Sequence, residues 1–213
     1  MKTRRIVVRT VADIPVAVFY FEVASSVDSL RSSAIMRYSL ITAINAKEEG
    51  MMTIARVNIR SDSKDWRAKI LSNLAHTPFT IEGITFPCVE AALQGIKFED
   101  EKTRNEVFAM KGMQAMKKGR EVTKFIRKDV PAFVYWQGER YEYNSSEHQQ
   151  LIREFIREKV AQNTKVQEAL LATEEDFIYH DVGPEHPNTS LPEKIFIAAL
   201  LKERQALKNG LYG

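Results

Sequence analysis

The 213-residue sequence contains one cysteine, Cys88, and no long apolar run. A single thiol can neither form an intramolecular disulfide nor complete a cysteine-based zinc site, which favours a reducing compartment. The longest apolar stretch, residues 14–21, is much shorter than the roughly 20 residues that a membrane helix needs, and the N-terminus lacks the order of regions typical of a signal peptide. We therefore expect a cytoplasmic protein without membrane contact.

An excess of charge of one sign is also missing. The chain has 31 Lys and Arg against 28 Asp and Glu, a net charge of +3, which is too small for a general nucleic-acid-binding protein. The basic residues are nevertheless concentrated in residues 102–128, which hold nine of them against two acidic residues. Such a run is typical of a solvated helix face, and a phosphate-facing surface is the alternative.

The composition and length predict one globular domain with an addition at its N-terminus. Hydrophobic residues make up 44% of the chain, enough for a substantial core. Residues 1–50 contain strand-like segments at 5–9 and 16–23 and a helical segment at 32–49, and none of their residues suggests chemistry. We interpret residues 1–50 as a β-containing extension, residues 51–207 as the catalytic domain and residues 208–213 as a tail.

Residues 51–207 read as a mostly helical α+β domain. A strand is predicted at residues 53–58, and Gly83 lies between two short apolar arms that predict a tight hairpin over residues 79–86. Pro87 then suits a helix start, followed by apolar residues at helical spacing. Further helices are predicted at residues 101–115 and 121–127, interrupted by Gly112 and by Lys118-Gly119, and at residues 146–161, 165–172 and 193–208.

One polar stripe on the helix after Pro87 is a candidate site. Glu90, Gln94 and Lys97 fall within about 60° of one another on a helix, away from the apolar positions. A solvated stripe of ordinary helix charges explains this spacing, and so does a pocket wall. The second interpretation gains weight because the rest of the helix is unusually apolar, and burial shifts a carboxyl or amine toward reactive protonation states.

Four motifs lie in and before this helix: Leu71-Ser72-Asn73-Leu74, Pro78-Phe79, the run from Ile81 to Glu90, and Gln94-Gly95-Ile96-Lys97-Phe98. In this order and spacing they resemble the opening of the NADAR (NAD and ADP-ribose) superfamily. A second block, Lys159-Val160-Ala161-Gln162-Asn163 followed by Leu170-Leu171-Ala172-Thr173, supports it, so the resemblance covers most of residues 65–207. Members hydrolyse N-glycosidic bonds, some in phosphoribosyl-amine intermediates of riboflavin synthesis and others between ADP-ribose and guanine bases.

The resemblance implies an N-glycosidase that needs no cofactor and acts on a phosphorylated ribosyl or ADP-ribosyl substrate, ADP-ribosylated nucleic acid included. It implies catalytic roles for Glu90 and Lys97, and it places Ser72, Asn73 and Gln94 at the substrate. A carboxylate can stabilise the oxocarbenium ion or activate water, whereas a lysine can attack C1 and form a Schiff base. Three further candidates come from the residue types: Arg104 and Arg120 for phosphate, and Trp136 for stacking a base or, alternatively, for the core.

Two segments depart from the family pattern. Asn144-Ser145 replaces a Trp-Asp pair, and residues 181–192 replace a glycine-rich closing segment. The loop contains His186 and follows His180, for which surface positions are the prediction and a general base or a metal site the alternative. His76 and His148 receive no functional assignment, and Cys88 is expected to be an inert buried thiol. These departures keep two other functions open: a non-catalytic ADP-ribose or nucleotide-binding module, and a nucleic-acid-associated protein.

Overall fold

The computed structural model describes residues 55–126, 132–174 and 176–212. The strands and helix predicted in residues 1–50, and the boundary at Met51-Met52, lie outside these residues. The described part is a mostly helical α+β domain, as predicted. No helix in this part of the chain is both long and apolar enough to cross a lipid bilayer.

Six short strands and seven helices make up the described residues. Their order is β1 (Arg56–Asn58), α1 (Trp66–Leu71), β2 (Phe79–Ile81), β3 (Ile84–Phe86), α2 (Val89–Gly95), α3 (Glu101–Phe108), α4 (Gly112–Ile126), β4 (Phe133–Trp136), β5 (Glu139–Glu142), α5 (Ser146–Ala161), α6 (Thr164–Leu171), β6 (Phe177–Tyr179) and α7 (Glu193–Lys208).

The strands form three two-stranded sheets. β1 pairs in parallel with β6, whereas β2–β3 and β4–β5 are antiparallel hairpins. The predicted hairpin over residues 79–86 is confirmed, and it turns at Glu82 and Gly83 with φ angles of 49° and 77°. Positive φ at two successive positions is the geometry that a tight hairpin turn needs, which explains the glycine. The hairpin β4–β5, helix α1 and strand β6 have no counterpart in the sequence predictions.

Several helix boundaries differ from the predictions. The helix predicted over residues 101–115 ends at Phe108, and Gly112, predicted to interrupt it, begins α4. α2 begins at Val89 rather than at Pro87, because Cys88 is the extended N-cap residue and the carbonyl of Pro87 accepts a hydrogen bond from Thr77 N. α4 runs without a break through Lys118 and Gly119, where the sequence suggested an interruption. Gly119 is buried against α2, so it marks a close helix contact and not a helix end.

An aromatic cluster forms the centre of the core. Phe86, Phe108 and Trp136 pack around Phe155 of α5, with ring centroids between 4.8 and 6.1 Å apart in the pairs Phe86–Phe108, Phe86–Trp136, Phe86–Phe155 and Trp136–Phe155. Tilted and edge-to-face aromatic pairs add to the free energy gained by burial. α5 has the predicted bounds because Ser145 caps it and its apolar residues face this cluster. Val89, Ala92 and Leu93 of α2 belong to the same hydrophobic core as this cluster.

Candidate active site

The start of α2 places Glu90 beside the loop that follows α1. The backbone N–H of Glu90 donates to the carbonyl of Asn73 at 2.9 Å. An N–H in the first turn of a helix has no intrahelical acceptor, so this bond satisfies it and joins the two segments. Two of the predicted site segments are therefore adjacent in space.

The predicted polar stripe is a chain of hydrogen bonds. Gln94 Nε2 donates to Glu90 Oε1 at 2.8 Å, and Lys97 Nζ donates to Gln94 Oε1 at 2.8 Å. Lys97 Nζ also donates to Thr123 Oγ1 at 3.1 Å, and Thr123 Oγ1 donates to Gly119 O at 2.8 Å. A carboxylate only accepts and an ammonium only donates, so the amide of Gln94 has one orientation that serves both. Gln94 thus bridges Glu90 and Lys97, with one hydrogen bond to each.

Gly119 allows α4 to lie against this chain. A Cβ at that position would lie 1.8 Å from Gln94 Oε1 and 2.5 Å from its Cδ. Neither distance is compatible with a side chain, so the hydrogen bonds of Gln94 depend on a glycine in the facing helix. Thr123 and Gly119 were missed by the sequence analysis, which interpreted Gly119 as a helix break.

A cleft of about 160 Å³ opens next to Glu90. We call its two sides the helix wall, formed by Asn73, Glu90, Leu93 and Gln94, and the loop wall, formed by His180, Thr189, Ser190, Leu191 and Phe196. Burial raises the pKa of Glu90 above its ordinary value, although the hydrogen bond from Gln94 and the positive charges of Lys97, Arg120 and His180 oppose the shift. A carboxyl with a raised pKa is suited to exchanging protons close to neutral pH.

A buried lysine holds the loop that contributes Asn73. Lys159 Nζ donates to Leu71 O and to Ser72 O, both at 2.9 Å, and its side chain is fully enclosed. Burial lowers the pKa of Lys159 to about 7. Asn73 lines the cleft, and its Oδ1 is buried without a hydrogen-bond partner in the described part of the chain.

Not all predicted substrate-binding residues line the cleft. Ser72 is buried and its hydroxyl accepts a hydrogen bond from Leu74 N. Arg104 Nη1 donates to Phe98 O at 2.9 Å and Glu99 O at 2.8 Å, so it braces the segment after α2. Trp136 belongs to the aromatic core, the alternative that the sequence left open. Arg120 is exposed on α4, and its charge acts on Glu90.

His180 is the main residue whose position the sequence misjudged. It was expected at the surface, yet it is half-buried and lines the cleft. It directly follows β6, and its place depends on the parallel pairing of β6 with β1, which joins segments far apart in the chain. His186 does not line the cleft, and its Nδ1 accepts a hydrogen bond from Asn188 N. Over the three described stretches, no three His, Cys, Asp or Glu side chains are grouped as metal ligands would be.

Two other buried groups lie beside the site. Cys88 is buried and unpaired as predicted, and burial raises its pKa. His148 of α5 is buried as well, and burial together with the charge of Lys97 lowers its pKa to about 4. Its Nδ1 accepts a hydrogen bond from Asn144 N, so the ring caps the turn before α5 as a neutral group.

Known proteins resemble the same part of the chain. A family model described as bacteriophage protein GP30.3 matches residues 65–205. An uncharacterized 17.1 kDa protein from the Gp30-rIII intergenic region of Enterobacteria phage T4 is 28% identical over 156 residues, which are 72% of this chain and 100% of that protein. N-glycosidase YbiA of Escherichia coli (strain K12) is 32% identical over 118 residues, or 55% of this chain and 64% of YbiA.

The fold resembles a solved structure of the same E. coli protein. The NMR structure of YbiA superposes with a TM-score of 0.51 and 25% sequence identity, covering 75% of this chain and 89% of that one. By sequence, however, the match spans slightly less than two thirds of the length of YbiA.

Proposed function

The chain belongs to the bacteriophage protein GP30.3 family, and from that premise we propose that it is an N-glycosidase. The resemblance of its motifs to the NADAR superfamily is confirmed by the matches to YbiA in sequence and in structure. The proposed reaction is hydrolysis of the C1–N bond in a phosphorylated ribosyl-amine or an ADP-ribosylated nucleobase. The observation that carries the proposal is the partly buried carboxyl of Glu90, which lines the cleft and is oriented by Gln94.

Glu90 supports a route in which water attacks C1. As the C1–N bond breaks, its electron pair goes to nitrogen and positive charge develops on the sugar, where a carboxylate stabilises it. The oxygen of water then bonds to C1 while one of its protons passes to Glu90. The leaving nitrogen gains a proton in turn, so the products are a sugar with a free C1 hydroxyl and a free amine or base. A raised pKa makes Glu90 a better proton acceptor in this step.

Lys97 offers a second route through a Schiff base. In this route Nζ bonds to C1 as the C1–N bond of the substrate breaks and its nitrogen leaves with a proton. The bond between C1 and the ring oxygen then opens, with a proton passing from Nζ to that oxygen, which gives the imine, and water later releases the sugar. Lys97 is not among the residues that line the cleft, and Nζ donates to Gln94 and Thr123. Direct attack requires the amine to leave both acceptors. The geometry therefore favours the route through Glu90, with Lys97 acting on the site through Gln94.

The substrate's phosphate has a candidate partner in Arg120. This residue is exposed on α4, close enough to Glu90 for its charge to act on the carboxyl. Lys117 and Lys124 share its side of the helix, since the three positions fall within about 60° of one another. This surface suits either a small phosphorylated metabolite or an ADP-ribosylated nucleic acid. Arg104 is a weaker candidate, because its Nη1 already binds two backbone carbonyls.

A non-catalytic ADP-ribose or nucleotide-binding module is the second candidate. The observation that favours it is the loop wall, which includes Thr189, Ser190 and Leu191 from a segment that departs from the family pattern. A cleft that keeps its helix wall and changes its loop wall retains the means to bind a ribosyl ligand. Turnover separates the two functions.

The test is an assay of base or amine release from both substrate types, with parent protein, Glu90→Gln and Lys97→Met. We expect Glu90→Gln to lower kcat by at least about 100-fold, a typical loss for a positioned acid or base. Borohydride during turnover distinguishes the routes, because it reduces an imine on Lys97 to a stable adduct that peptide mass spectrometry detects. Binding without turnover by the parent protein would replace the N-glycosidase proposal with the binding module.

A further inference from the structure

His180 lines the cleft but belongs to a different part of the chain from Glu90. It follows β6, whereas Glu90 lies in α2, and both residues line the same cavity. Because this cavity has a volume of only about 160 Å³, one small ligand can contact both side chains.

Three contacts hold the His180 residue in place. Its backbone N–H donates to Glu193 Oε1 at 3.0 Å, and its ring packs edge-on against Phe196 with centroids 5.1 Å apart. The third contact joins Nδ1 to the carbonyl oxygen of Ile59 at 2.6 Å. Residues from α7 and from the segment after β1 therefore fix the imidazole before any ligand arrives.

The contact with Ile59 also determines what the other ring nitrogen can do. A carbonyl oxygen only accepts, so Nδ1 carries the hydrogen of this bond. In the neutral imidazole Nε2 is then a hydrogen-bond acceptor. Among the described residues no group bonds to Nε2, and this atom is not one of the buried polar atoms left without a partner. Since the side chain lines the cleft, Nε2 is the ring atom that a ligand can reach.

We propose that His180 contacts the substrate and that its Nε2 accepts a hydrogen bond from a hydroxyl of the ribosyl group. The proposal rests on the N-glycosidase function described above and identifies the residue that orients the sugar beside Glu90. Ribose hydroxyl groups donate hydrogen bonds, so a hydrogen-bond acceptor held in a fixed position is suited to bind them. A pre-oriented imidazole also loses no rotational freedom when the sugar binds, which favours binding.

Two substitutions separate the role of Nε2 from that of Nδ1. In His180→Asn the side-chain amide reaches only the position of Nδ1, so it can still donate to Ile59 O while the acceptor at the cleft is lost. In His180→Gln the longer side chain reaches the position of Nε2 and can supply a carbonyl oxygen there. His186→Asn is the matched control, because His186 lies in the neighbouring loop and does not line the cleft.

The measurements are Kd for ADP-ribose and for ribose 5-phosphate by calorimetry, and Tm for each variant. We expect His180→Asn to raise Kd about 10-fold, the effect of one lost hydrogen bond, without a change in Tm. His180→Gln should recover most of the affinity, and His186→Asn should bind like the parent.

The inference is wrong if the parent protein binds either ligand and His180→Asn binds it equally well. It is also wrong if both variants lose affinity in proportion to a fall in Tm, since His180 then acts only by holding Ile59. A parent protein that binds neither ligand but releases base or amine would overturn this inference alone, and one that neither binds nor turns over would overturn the proposed function as well. Binding without turnover would leave the role of His180 intact and overturn only the catalytic function.

Discussion

The helix wall and the loop wall of the cleft are held in different ways. On the helix wall, Glu90 and Gln94 belong to a chain of side-chain hydrogen bonds that ends at the backbone of α4. On the loop wall, the hydroxyls of Thr189 and Ser190 make no hydrogen bond to other described residues. The loop is held mainly through its backbone, for example by Gln149 Nε2, which donates to Ser190 O at 2.7 Å.

This difference indicates that the two walls have different roles. Catalysis requires that the reacting side chains are held in position to within a fraction of an ångström. Helices and strands whose side chains are hydrogen-bonded to one another provide this precision. Substrate selection tolerates change, and loops change most readily. The helix wall also carries the motifs that match the family, whereas the loop wall departs from them. We expect substitutions on the helix wall to lower kcat or stability, and substitutions in the loop to alter KM and substrate preference.

The largest effect should come from behind the helix wall, at Lys159. Lys159→Met removes the donors to Leu71 O and Ser72 O and leaves buried carbonyls with fewer partners. Each buried unpaired group costs about 1–3 kcal/mol, so at pH 10, where the amine of Lys159 is neutral in the folded protein, the free energy of unfolding should fall by about 3 kcal/mol. Urea denaturation of the two proteins measures the difference. Equal stability of the two proteins would show that the loop after α1 is held by other contacts.

Lys159 also predicts a pH dependence. Its pKa is about 7 in the folded protein, against an ordinary value of 10.5. Between these values the unfolded chain binds more protons, so the stability of the parent relative to Lys159→Met should rise with pH, by at most about 1.4 kcal/mol per unit. Above pH 7 the neutral amine still has two N–H groups for its two carbonyl partners. A stability difference between parent and variant that shrinks from pH 7 to pH 9 would contradict this assignment.

The next largest effect should follow from Gly119→Ala on α4. Alanine in place of glycine in a helix interior normally stabilises by about 1 kcal/mol. Here the added Cβ would lie 1.8 Å from Gln94 Oε1, so Gln94 must move and its bonds to Glu90 and Lys97 must break. We expect kcat to fall by about 100-fold, comparable to the loss of a positioned group, while the protein remains folded. Gln114→Ala, at an exposed position of the same helix, is the control and should retain full activity.

Part of this arrangement was predictable from sequence. Helix periodicity placed Glu90, Gln94 and Lys97 on one face, and the bounds of Ser146–Ala161 and Glu193–Lys208 were predicted correctly. These results follow from local patterns, namely apolar spacing and capping residues. The family resemblance then distinguished a pocket wall from a solvated stripe, which spacing alone had left open.

The remainder depends on contacts between distant parts of the chain. Gly119 looked like a helix break because sequence does not show that another helix packs against it. His180 looked like a surface residue because its burial follows from the pairing of β6 with β1, residues about 120 positions apart. Arginine often binds phosphate and tryptophan often stacks on bases. Here, however, Arg104 donates hydrogen bonds to backbone carbonyls, and Trp136 packs in the core. Residue type and local pattern carry no information about such partners.

Thr123 tests whether Lys97 must be held in position. Thr123→Val keeps the shape of the side chain and removes the acceptor for Lys97 Nζ. Hydrogen bonds to charged groups contribute about 1.5–3 kcal/mol, so we expect kcat to fall about 10-fold with KM nearly unchanged. Thr123→Ser restores the hydroxyl and should recover activity. Thr85→Val, at an exposed hydroxyl of the hairpin β2–β3, controls for the exchange itself. If serine and valine at position 123 give the same loss, the effect comes from packing and not from the hydrogen bond.

The smallest effect should come from Ser190 on the loop wall. Ser190 lines the cleft, and its hydroxyl has no hydrogen-bond partner among the described residues. Its backbone carbonyl accepts a hydrogen bond from Gln149, which does not depend on the side chain. Ser190→Ala therefore changes the surface that contacts a ligand and leaves the loop in place. Loss of one uncharged hydrogen bond to the substrate should raise KM about 3-fold and leave kcat unchanged. The ratio of kcat/KM for an ADP-ribosyl and a ribosyl-amine substrate should shift, because the two differ in the part that extends past the sugar. If Ser190→Ala instead lowered kcat by about 10-fold or more, the loop wall would take part in the chemistry and the distinction between the two walls would fail.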